Sequence, residues 1–355
     1  MTMNRQMMKG NEAIAEAAVQ AGCRYYFGYP ITPQSEIPEY MSKRLPEVGG
    51  TFIQAESEVA AINMVYGAAG AGARAMTSSS SPGVSLKQEG ISYIAGAELP
   101  CLIVNIVRGG PGLGSIQPAQ SDYYQATRGG GHGDYRMPVF APATVQEAVE
   151  LTMKAFDVAD KYRTPTMLLG DGAIGQMMEP VTMPEYKPAE VDKSWAATGW
   201  REGCGRERAI INSLYIEPDR LEALVRKLEA KYKAIAENET MVDLQYMDDA
   251  EYAVVAYGTT ARIALTAVRN ARKEGMKVGI IRPITVWPFP EKAISDAAKH
   301  LKGVLTVEMS LGQMVDDVRL AVNGQCPVYF FGRTGGMIPG VREVYDQLMS
   351  MKEGA

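Results

Sequence analysis

The sequence predicts an α/β protein with two mostly parallel β-sheets, on three observations. Short apolar strands alternate with helical patterns from about residue 10 to residue 180. Segments 102–104 and 167–169 are wholly apolar, as strands of a parallel sheet covered on both faces must be. The alternation stops near residue 185 and resumes at residue 252. Two α/β domains separated by a linker are therefore expected.

The first predicted domain covers residues 1–184. Its strands are expected at 25–29, 51–54, 73–77, 101–107 and 167–169, and its helices at 11–21, 33–44, 58–71 and 84–97. The helix at 58–71 is apolar or small nearly all round, which predicts burial on every side. The first domain should therefore be a sheet with helices packed on both faces.

Residues 185–250 are predicted to form a linker, and residues 251–355 a second domain. The linker contains irregular Pro- and Gly-rich chain, then a charged helix at 218–237 with an apolar stripe: Leu221, Leu224, Leu228, Tyr232 and Ile235. This spacing is typical of a long surface helix. The second domain has strands expected at 252–258, 278–281, 304–307 and 328–331, with helices at 260–275, 291–299 and 341–351.

The composition argues against nucleic acid and membrane as partners. The chain has 355 residues, 46% of them apolar, with 36 basic and 41 acidic side chains. No excess of Lys and Arg is available to neutralise phosphates. No apolar run reaches the ~18 residues of a membrane span, and residues 1–9 lack the apolar region of a signal peptide.

Cysteine and histidine usage argues against several kinds of metal site on this chain. The four cysteines and two histidines are widely spaced: Cys23, Cys101, Cys204, Cys326, His132 and His300. Zinc fingers, cysteine-ligated iron–sulfur clusters and His-rich centres need closely spaced ligands. Unpaired cysteines are also typical of a reducing compartment. We therefore expect a cytoplasmic protein with no metal ion of its own.

Two glycine motifs resemble known phosphate-binding motifs without completing them. Gly170-Asp171-Gly172 resembles the diphosphate motif of thiamine enzymes, but the next Asn is Asn212, inside the linker. The tripeptide is therefore predicted to be a strand end and turn. The glycines at 67–72 and 110–114 lack the strand, Gly-x-Gly-x-x-Gly and helix order of a dinucleotide site. A nicotinamide dehydrogenase is disfavoured for that reason.

Four polar residues each follow a strand of the first predicted sheet: Thr32, Glu58, Ser81 and Arg108. The carboxyl ends of parallel strands share one edge, where ligands of open α/β sheets bind. Arg108 is a permanently charged fork suited to a carboxylate or phosphate, although a salt bridge to a neighbouring loop is an equal alternative. The sequence predicts that these side chains converge on one crevice.

Glu56 and Glu58 both lie where a helix begins. Acids are favourable at a helix N-terminus, and this is the simpler explanation for Glu56. Glu58 precedes apolar residues, so partial burial would make its carboxyl a proton-sharing group. His132, in a glycine-rich loop, has no second ligand nearby in the sequence. A contact from His132 to a substrate or partner stays open.

At these residues the chain resembles the α subunit of 2-oxoacid:ferredoxin oxidoreductases over nearly its whole length. The first domain contributes Tyr-Pro-Ile-Thr-Pro (29–33), Gln-Ala-Glu-Ser-Glu (54–58), Ser-Ser-Ser-Pro-Gly (79–83) and Arg-Gly-Gly-Pro-Gly (108–112). Segments 282–290 and 308–310 resemble a transketolase C-terminal-type domain. Gly-Gly-Gly-His-Gly-Asp (129–134) is more similar to the branched-chain, 2-oxoisovalerate members than to the 2-oxoglutarate members.

The resemblance implies a shared active site. This chain would hold the pyrimidine half of thiamine diphosphate in an N-terminal pyrimidine-type domain, with Glu58 on N1′ of the aminopyrimidine. Thr32 and Arg108 would hold the substrate carboxylate. The cofactor-binding residues would be Tyr29, Pro30, Glu58, Ser81 and Pro82. A β subunit would carry the diphosphate-binding domain, Mg²⁺ and a [4Fe–4S] cluster, and small γ and δ subunits, δ being ferredoxin-like, would complete the enzyme.

The implied reaction is oxidative decarboxylation of 2-oxoisovalerate with coenzyme A, giving acyl-CoA, CO₂ and reduced ferredoxin. The same reaction on 2-oxoglutarate or pyruvate is the alternative. A nicotinamide-dependent dehydrogenase and a non-catalytic scaffold are more remote, because the motif residues Thr32, Glu58 and Arg108 are all present. The family usually starts near Met8, so residues 1–7 are expected to be an extension.

Overall fold

The structure is a computed structural model that describes residues 5–353. Within the expected extension, residues 1–4 lie outside the described part of the chain, whereas Gln6 and Met7 belong to the first strand. No helix between residues 5 and 353 is both long enough and apolar enough to cross a membrane.

The N-terminal half alternates strands and helices. Its strands are β1 (Gln6–Lys9), β2 (Tyr25–Gly28), β3 (Thr51–Gln54), β4 (Ala75–Ser79), β5 (Cys101–Val107), β6 (Val139–Phe140), β7 (Pro165–Asp171) and β8 (Met178–Val181). Its helices are α1 (Gly10–Gln20), α2 (Glu36–Glu47), α3 (Glu58–Gly70), α4 (Pro82–Gly96), α5 (Tyr123–Arg128), α6 (Val145–Tyr162) and α7 (Gly172–Gln176). The alternation predicted from the sequence is confirmed.

These strands form a seven-stranded sheet in the order β12-β6-β7-β5-β4-β2-β3, in which β12 (Thr285–Trp287) comes from the C-terminal half. The pairs from β6 to β3 are parallel, and β12 is antiparallel to β6. The chain runs outward from β2 to β3 and then returns to β4 on the other side of β2. The strand order thus reverses between β2 and β4, which is where open α/β sheets bind ligands.

Strand β5 shows that both faces of this sheet are buried. Leu102 and Val104 pack on one side with α1, α2 and α6, whereas Cys101 and Ile103 pack on the other with α3 and α4. Successive side chains of a strand point to opposite faces, so an entirely apolar strand needs helices on both. The hydrophobic cluster that contains Cys101 and Ile103 continues into the C-terminal half, through residues such as Val255.

Helix α3 departs from its prediction. Its residues face a second helix and the sheet on one side, but Val59 is 43% exposed and Asn63 and Gly67 are also exposed. The prediction of burial on every side is therefore wrong for this chain by itself. An apolar helix surface indicates burial, but it does not say whether the covering residues belong to the same polypeptide.

The C-terminal half starts with the long helix α8 (Pro218–Glu239). Its strands are β9 (Val242–Gln245), β10 (Tyr252–Val255), β11 (Val278–Pro283), β12, β13 (Gly303–Glu308) and β14 (Val328–Gly332). Its helices are α9 (Gly258–Lys273), α10 (Glu291–Ala298), α11 (Met314–Val322) and α12 (Val341–Glu353). In α8, Leu228, Tyr232 and Ile235 are buried, so the C-terminal part of the predicted apolar stripe packs on the core, whereas Leu221 is 43% exposed.

The second sheet has the order β14-β13-β10-β11-β9, parallel except for the antiparallel edge strand β9. β9 falls inside residues 185–250, the predicted linker, and β12 falls inside the predicted second domain yet joins the first sheet. Strand pairing thus crosses both predicted boundaries, because short edge strands carry too little hydrophobic pattern to assign them to a sheet. The two halves are joined by backbone hydrogen bonds as well as side chains.

Gln120 joins the two halves through several hydrogen bonds. Its backbone N–H donates to the Met309 carbonyl at 2.8 Å, and its Nε2 donates to the Tyr257 carbonyl at 2.9 Å. Its Oε1 accepts from the Met309 N–H at 3.0 Å and from the Thr260 hydroxyl at 3.1 Å. Gln120 is 3% exposed, so these bonds form where water cannot replace them.

We expect Gln120→Ala to lower the free energy of unfolding by about 1–3 kcal/mol, because the buried Met309 N–H loses its acceptor. The change is measured as a shift in the denaturation midpoint. Gln325→Ala is the control, since Gln325 is exposed and its side chain makes a single bond, to Ser295. That substitution should stay within about 0.5 kcal/mol of the wild type. Equal effects of the two would contradict the assigned role.

Candidate active site

The carboxyl ends of β2 to β5 carry the residues singled out from the sequence. The Arg108 guanidinium contacts the Thr32 carbonyl, and the Ser81 hydroxyl exchanges hydrogen bonds with the backbone of Arg108. The Glu58 carboxyl lies against Gly83, just after Ser81 and Pro82. The predicted convergence of Thr32, Glu58, Ser81 and Arg108 at one edge is thus present in the structure.

Arg108 is a buried cation without a counter-ion. The residue is 6% exposed, its Nη1 donates to the Thr32 carbonyl at 2.9 Å, and its Nη2 donates to the Leu113 carbonyl at 2.9 Å. Within residues 5–353 both contacts are to neutral oxygens, and the buried Nε has no partner. The alternative of a salt bridge to a neighbouring loop is therefore not realised. An anion at this position would supply both the missing acceptor and the missing charge.

Glu58 begins α3 and is 6% exposed, whereas Glu56 is exposed. The helix is capped by the Ser57 hydroxyl, which accepts from the Ala60 N–H at 3.1 Å. This leaves the Glu58 carboxyl free of the capping role. A Cβ built on Gly83 would lie 2.7 Å from Glu58 Oε1 and 2.1 Å from Ser79 Oγ. Only glycine at position 83 permits this approach between α3, β4 and the start of α4.

Ser81 adopts an uncommon backbone conformation, with φ 28° and ψ −85°. Its N–H donates to Asn105 Oδ1 at 3.1 Å, and its hydroxyl bonds the backbone of Arg108. Asn105 in turn donates to Asp122 at 2.9 Å, and burial raises the pKa of Asp122. Strain of this kind persists only where surrounding contacts over-determine it, and it is common at functional sites.

The segment after β2 supplies the remaining predicted residues. Tyr29 is 38% exposed, and Pro30 and Thr32 are also exposed, so the side chains of these residues lie outside the core. Beneath it, the buried Ser78 hydroxyl bonds both Tyr26 and Gln34. These polar contacts hold the segment against β4.

Two buried residues of this region were not found from the sequence: Lys87 and Asn105. Ser79 and Ser80 belong to the serine motif found there, and their buried hydroxyls have no hydrogen-bond partner within residues 5–353. Lys87 is fully buried in α4. Gln88 and Glu89 directly follow Lys87, and lysine is rarely buried, so no sequence pattern marks this residue as buried.

The two remaining sequence motifs have structural roles or peripheral positions. β7 ends at Asp171, whose Oδ1 accepts from the N–H groups of Ala173 and Ile174 and caps α7. The prediction of a strand end is confirmed. His132 is exposed, with Nδ1 3.4 Å from the Ser92 hydroxyl. Over residues 5–353, no group of three or more His, Cys, Asp or Glu side chains is arranged to hold a metal ion.

We expect Gly83→Ala to destabilise the protein by about 1–3 kcal/mol, because the new methyl group would overlap Ser79 Oγ and Glu58 Oε1. Gly67→Ala is the matched control. Gly67 is also helical, but a methyl group placed there would meet nothing within 4 Å, so alanine should stabilise by roughly 0.5–1 kcal/mol. Denaturant unfolding measures both, and a neutral Gly83→Ala would contradict the close approach.

Comparison with known proteins identifies the family of the chain. Residues 16–243 match the family described as pyruvate flavodoxin/ferredoxin oxidoreductase, thiamine diphosphate-binding, and residues 250–344 match pyruvate:ferredoxin oxidoreductase core domain II. The chain is 50% identical to ketoisovalerate oxidoreductase subunit VorB of Methanothermobacter thermautotrophicus, over 98% of this chain and 97% of that protein. It is 37% identical to 2-oxoglutarate synthase subunit KorA of Methanothermobacter marburgensis, over 97% and 98%.

Two solved structures share the fold. The 2-oxoglutarate:ferredoxin oxidoreductase of Magnetococcus marinus, with 2-oxoglutarate, coenzyme A and succinyl-CoA bound, has a TM-score of 0.87 at 24% identity. That match covers 98% of this chain but only 65% of the solved chain. An inactive split-gene transketolase has a TM-score of 0.61 at 15% identity, covering 97% and 98%. The predicted fold class is confirmed, and the chain belongs to the thiamine-diphosphate-binding pyruvate flavodoxin/ferredoxin oxidoreductase family.

Proposed function

We propose that this chain is the α subunit of a 2-oxoacid:ferredoxin oxidoreductase that converts 2-oxoisovalerate and coenzyme A to acyl-CoA, CO₂ and reduced ferredoxin. The observation that carries the proposal is the buried Arg108 guanidinium, which has hydrogen bonds but no counter-ion among residues 5–353, beside the buried Glu58. A 2-oxo acid supplies the carboxylate that Arg108 lacks. The branched-chain substrate rests on the 50% identity to a ketoisovalerate oxidoreductase subunit, against 37% to a 2-oxoglutarate synthase subunit.

The residues of the crevice fit the pyrimidine half of thiamine diphosphate. The Ser79 hydroxyl, which approaches Gly83 together with Glu58, is buried without a hydrogen-bond partner among residues 5–353, and so is the Ser80 hydroxyl. Hydrogen-bonding capacity is therefore left close to Glu58. Tyr29, Pro30, Ser81 and Pro82 are the further residues of this chain proposed to surround the ring. Glu58 would bond N1′ of the aminopyrimidine. A buried carboxyl in this place can share a proton with a ring nitrogen more readily than one in water.

When bound, thiamine diphosphate supplies the nucleophilic carbon and accepts the electron pair released on decarboxylation. The chain's own contribution is to hold groups in place. Glu58 holds or releases a proton at N1′, while Arg108 and Thr32 hold the substrate carboxylate next to the reacting carbon. Such orientation can contribute on the order of 7–11 kcal/mol when the geometry is good. Burial of Glu58 and Arg108 keeps water from competing for these bonds.

Partner subunits are proposed to supply the rest of the site. The β subunit would hold the diphosphate, Mg²⁺ and a [4Fe–4S] cluster. The small γ and δ subunits would supply a domain that assists coenzyme A binding and, in the ferredoxin-like δ subunit, an electron relay to ferredoxin. An exposed apolar surface next to Glu58, comprising Val59 on α3 with Leu86 and Tyr93 on α4, supports a partner at this edge. Burial raises the pKa of Cys23 and Cys101 to about 12, which disfavours both thiols as cluster ligands.

The alternatives differ in what the substrate carries beyond its carboxylate. 2-Oxoglutarate has a second carboxylate that would need a second cation, and pyruvate has only a methyl group. Values of kcat/KM for the three acids, measured as viologen reduction by the assembled enzyme, distinguish them. Binding of NADH by the chain would instead favour a dehydrogenase, but Gly67, Gly70 and Gly72 lie at the end of α3 rather than at a helix start.

We expect Glu58→Gln to lower kcat of the assembled enzyme by about 10²–10⁴-fold, because the amide cannot exchange a proton with N1′. The assay contains partner subunits, thiamine diphosphate, Mg²⁺, coenzyme A and 2-oxoisovalerate, with viologen as electron acceptor. Glu56→Gln is the matched control, since Glu56 is two residues away and exposed, and it should retain activity. Full activity of Glu58→Gln, with the fold intact, would overturn the role of Glu58.

Arg108→Lys tests the carboxylate site separately. Lysine keeps the charge but loses the planar fork, so one charge-assisted hydrogen bond is lost. A loss of this kind predicts a rise in KM for the 2-oxo acid of about 10–100-fold. Arg342→Lys is the control, because the Arg342 side chain is 80% exposed. An unchanged KM in Arg108→Lys would show that the substrate carboxylate binds elsewhere.

A further inference from the structure

Lys87 is a buried cation that the proposed reaction does not use. It lies in α4, has no solvent exposure, and its Nζ donates to Thr77 Oγ1 at 2.6 Å and to the Ser78 carbonyl at 3.0 Å. Both acceptors belong to β4, close to the carboxyl end of the strand where the crevice opens. Neither acceptor carries a charge, so hydrogen bonding does not neutralise the ammonium group.

The negative charge that acts on Lys87 is that of Glu58. Burial lowers the pKa of Lys87 to about 7, and the field of Glu58 opposes this effect. The other titratable group close to its acceptors is Tyr26 on β2, whose hydroxyl bonds Ser78. Burial raises the pKa of Tyr26, so this phenol is neutral and adds no charge. Among the described residues, Glu58 is therefore the counter-charge available to Lys87.

The geometry of α4 places these two groups on one side of the helix. Gly83 and Lys87 are four residues apart and so share a helix face. Glu58 Oε1 and Ser79 Oγ both approach Gly83, within 2.7 Å and 2.1 Å of where a Cβ would stand. No side chain at position 83 separates the carboxylate from the part of α4 out of which Lys87 extends. In a buried region of low dielectric, such a charge acts strongly even without direct contact.

We propose that Lys87 is a positioning residue for Glu58: its buried ammonium group attracts the Glu58 carboxyl and holds it against Gly83. Among the described residues the two groups make no direct salt bridge, so the attraction acts across the position of Gly83. The role assigned to Glu58 as the partner of N1′ rests on the proposed function. The charge coupling between the two residues rests on the structure alone.

Melting temperatures of the full-length chain test the coupling without any activity measurement. Wild type, Lys87→Met, Glu58→Gln and the double variant are compared at pH 6 and at pH 9. At pH 6 we expect Glu58→Gln to lower the melting temperature by about 3 °C in the wild-type background and to have no such effect in Lys87→Met. At pH 9 Lys87 has lost its proton, so the two substitutions should become additive. Additive effects at pH 6 would overturn the proposal.

Lys231→Met is the matched control for removing a buried lysine. The Lys231 side chain is 12% exposed, burial lowers its pKa, and it pairs with Glu98 at the opposite end of α4 from Gly83. Its effect should add to that of Glu58→Gln at both pH values. Coupling as large as that of Lys87 would indicate a general effect of buried lysines and would contradict a specific pair.

The pH profile of the assembled enzyme gives a second, independent readout. Burial lowers the pKa of Lys87 to about 7, so its ammonium group is lost as the pH rises through that value. We therefore expect kcat/KM of the wild type to fall along an alkaline limb near pH 7 that Lys87→Met lacks. A purely structural loss would lower the profile at every pH without moving it, and that result would overturn the role in catalysis. Should Glu58→Gln retain full activity, the proposed function fails, while the melting data still decide the Lys87–Glu58 coupling.

Discussion

The arrangement of this crevice depends on a buried guanidinium held by backbone carbonyls. Arg108 bonds the carbonyls of Thr32 and Leu113, and its own backbone is bonded by Ser81. One residue therefore links the ends of three parallel strands and the loop that follows the last of them. A cation satisfied only by neutral oxygens keeps most of its charge for a ligand. The same contacts that order the crevice thus make it attract a carboxylate.

The C-terminal half contributes to this order from a distance. The chain after Arg108 runs to Gln120, where five hydrogen bonds tie it to Tyr257, Thr260 and Met309. Gly109 also lies close to the backbone of Gly336 in the second half. A loop fixed at both ends loses little further freedom when it binds a ligand, which favours binding. The second sheet therefore acts as the support that keeps the Arg108 loop in place.

The sequence predicted the central elements of the fold well and the connections between its halves poorly. The bounds of β3 and β5 were predicted as observed, because each is a short apolar run with clear flanks. Strand β12 was missed, since its three residues pair with a strand nearly 150 positions earlier, and no local pattern encodes such a pairing. Among site residues, Thr32, Glu58, Ser81 and Arg108 were found because each follows a strand. Lys87 lies inside a helix, and only its burial makes it notable.

The buried charged groups at this edge include one cation that no described residue of the chain neutralises. Lys87 and Glu58 offset one another, while Asp122 is bonded to Asn105 and its raised pKa favours the neutral form. Arg108 is then the uncompensated cation among these described residues. Burying an unpaired charge is costly, so the burial of the Arg108 guanidinium is best explained by an anionic ligand that is bound during turnover. A 2-oxo acid meets this condition on entry, and its carboxylate is the group that departs as neutral CO₂. In the proposed reaction, loss of that negative charge would remove the attraction to Arg108, so the electrostatics that favour binding of the substrate would also favour release of the product.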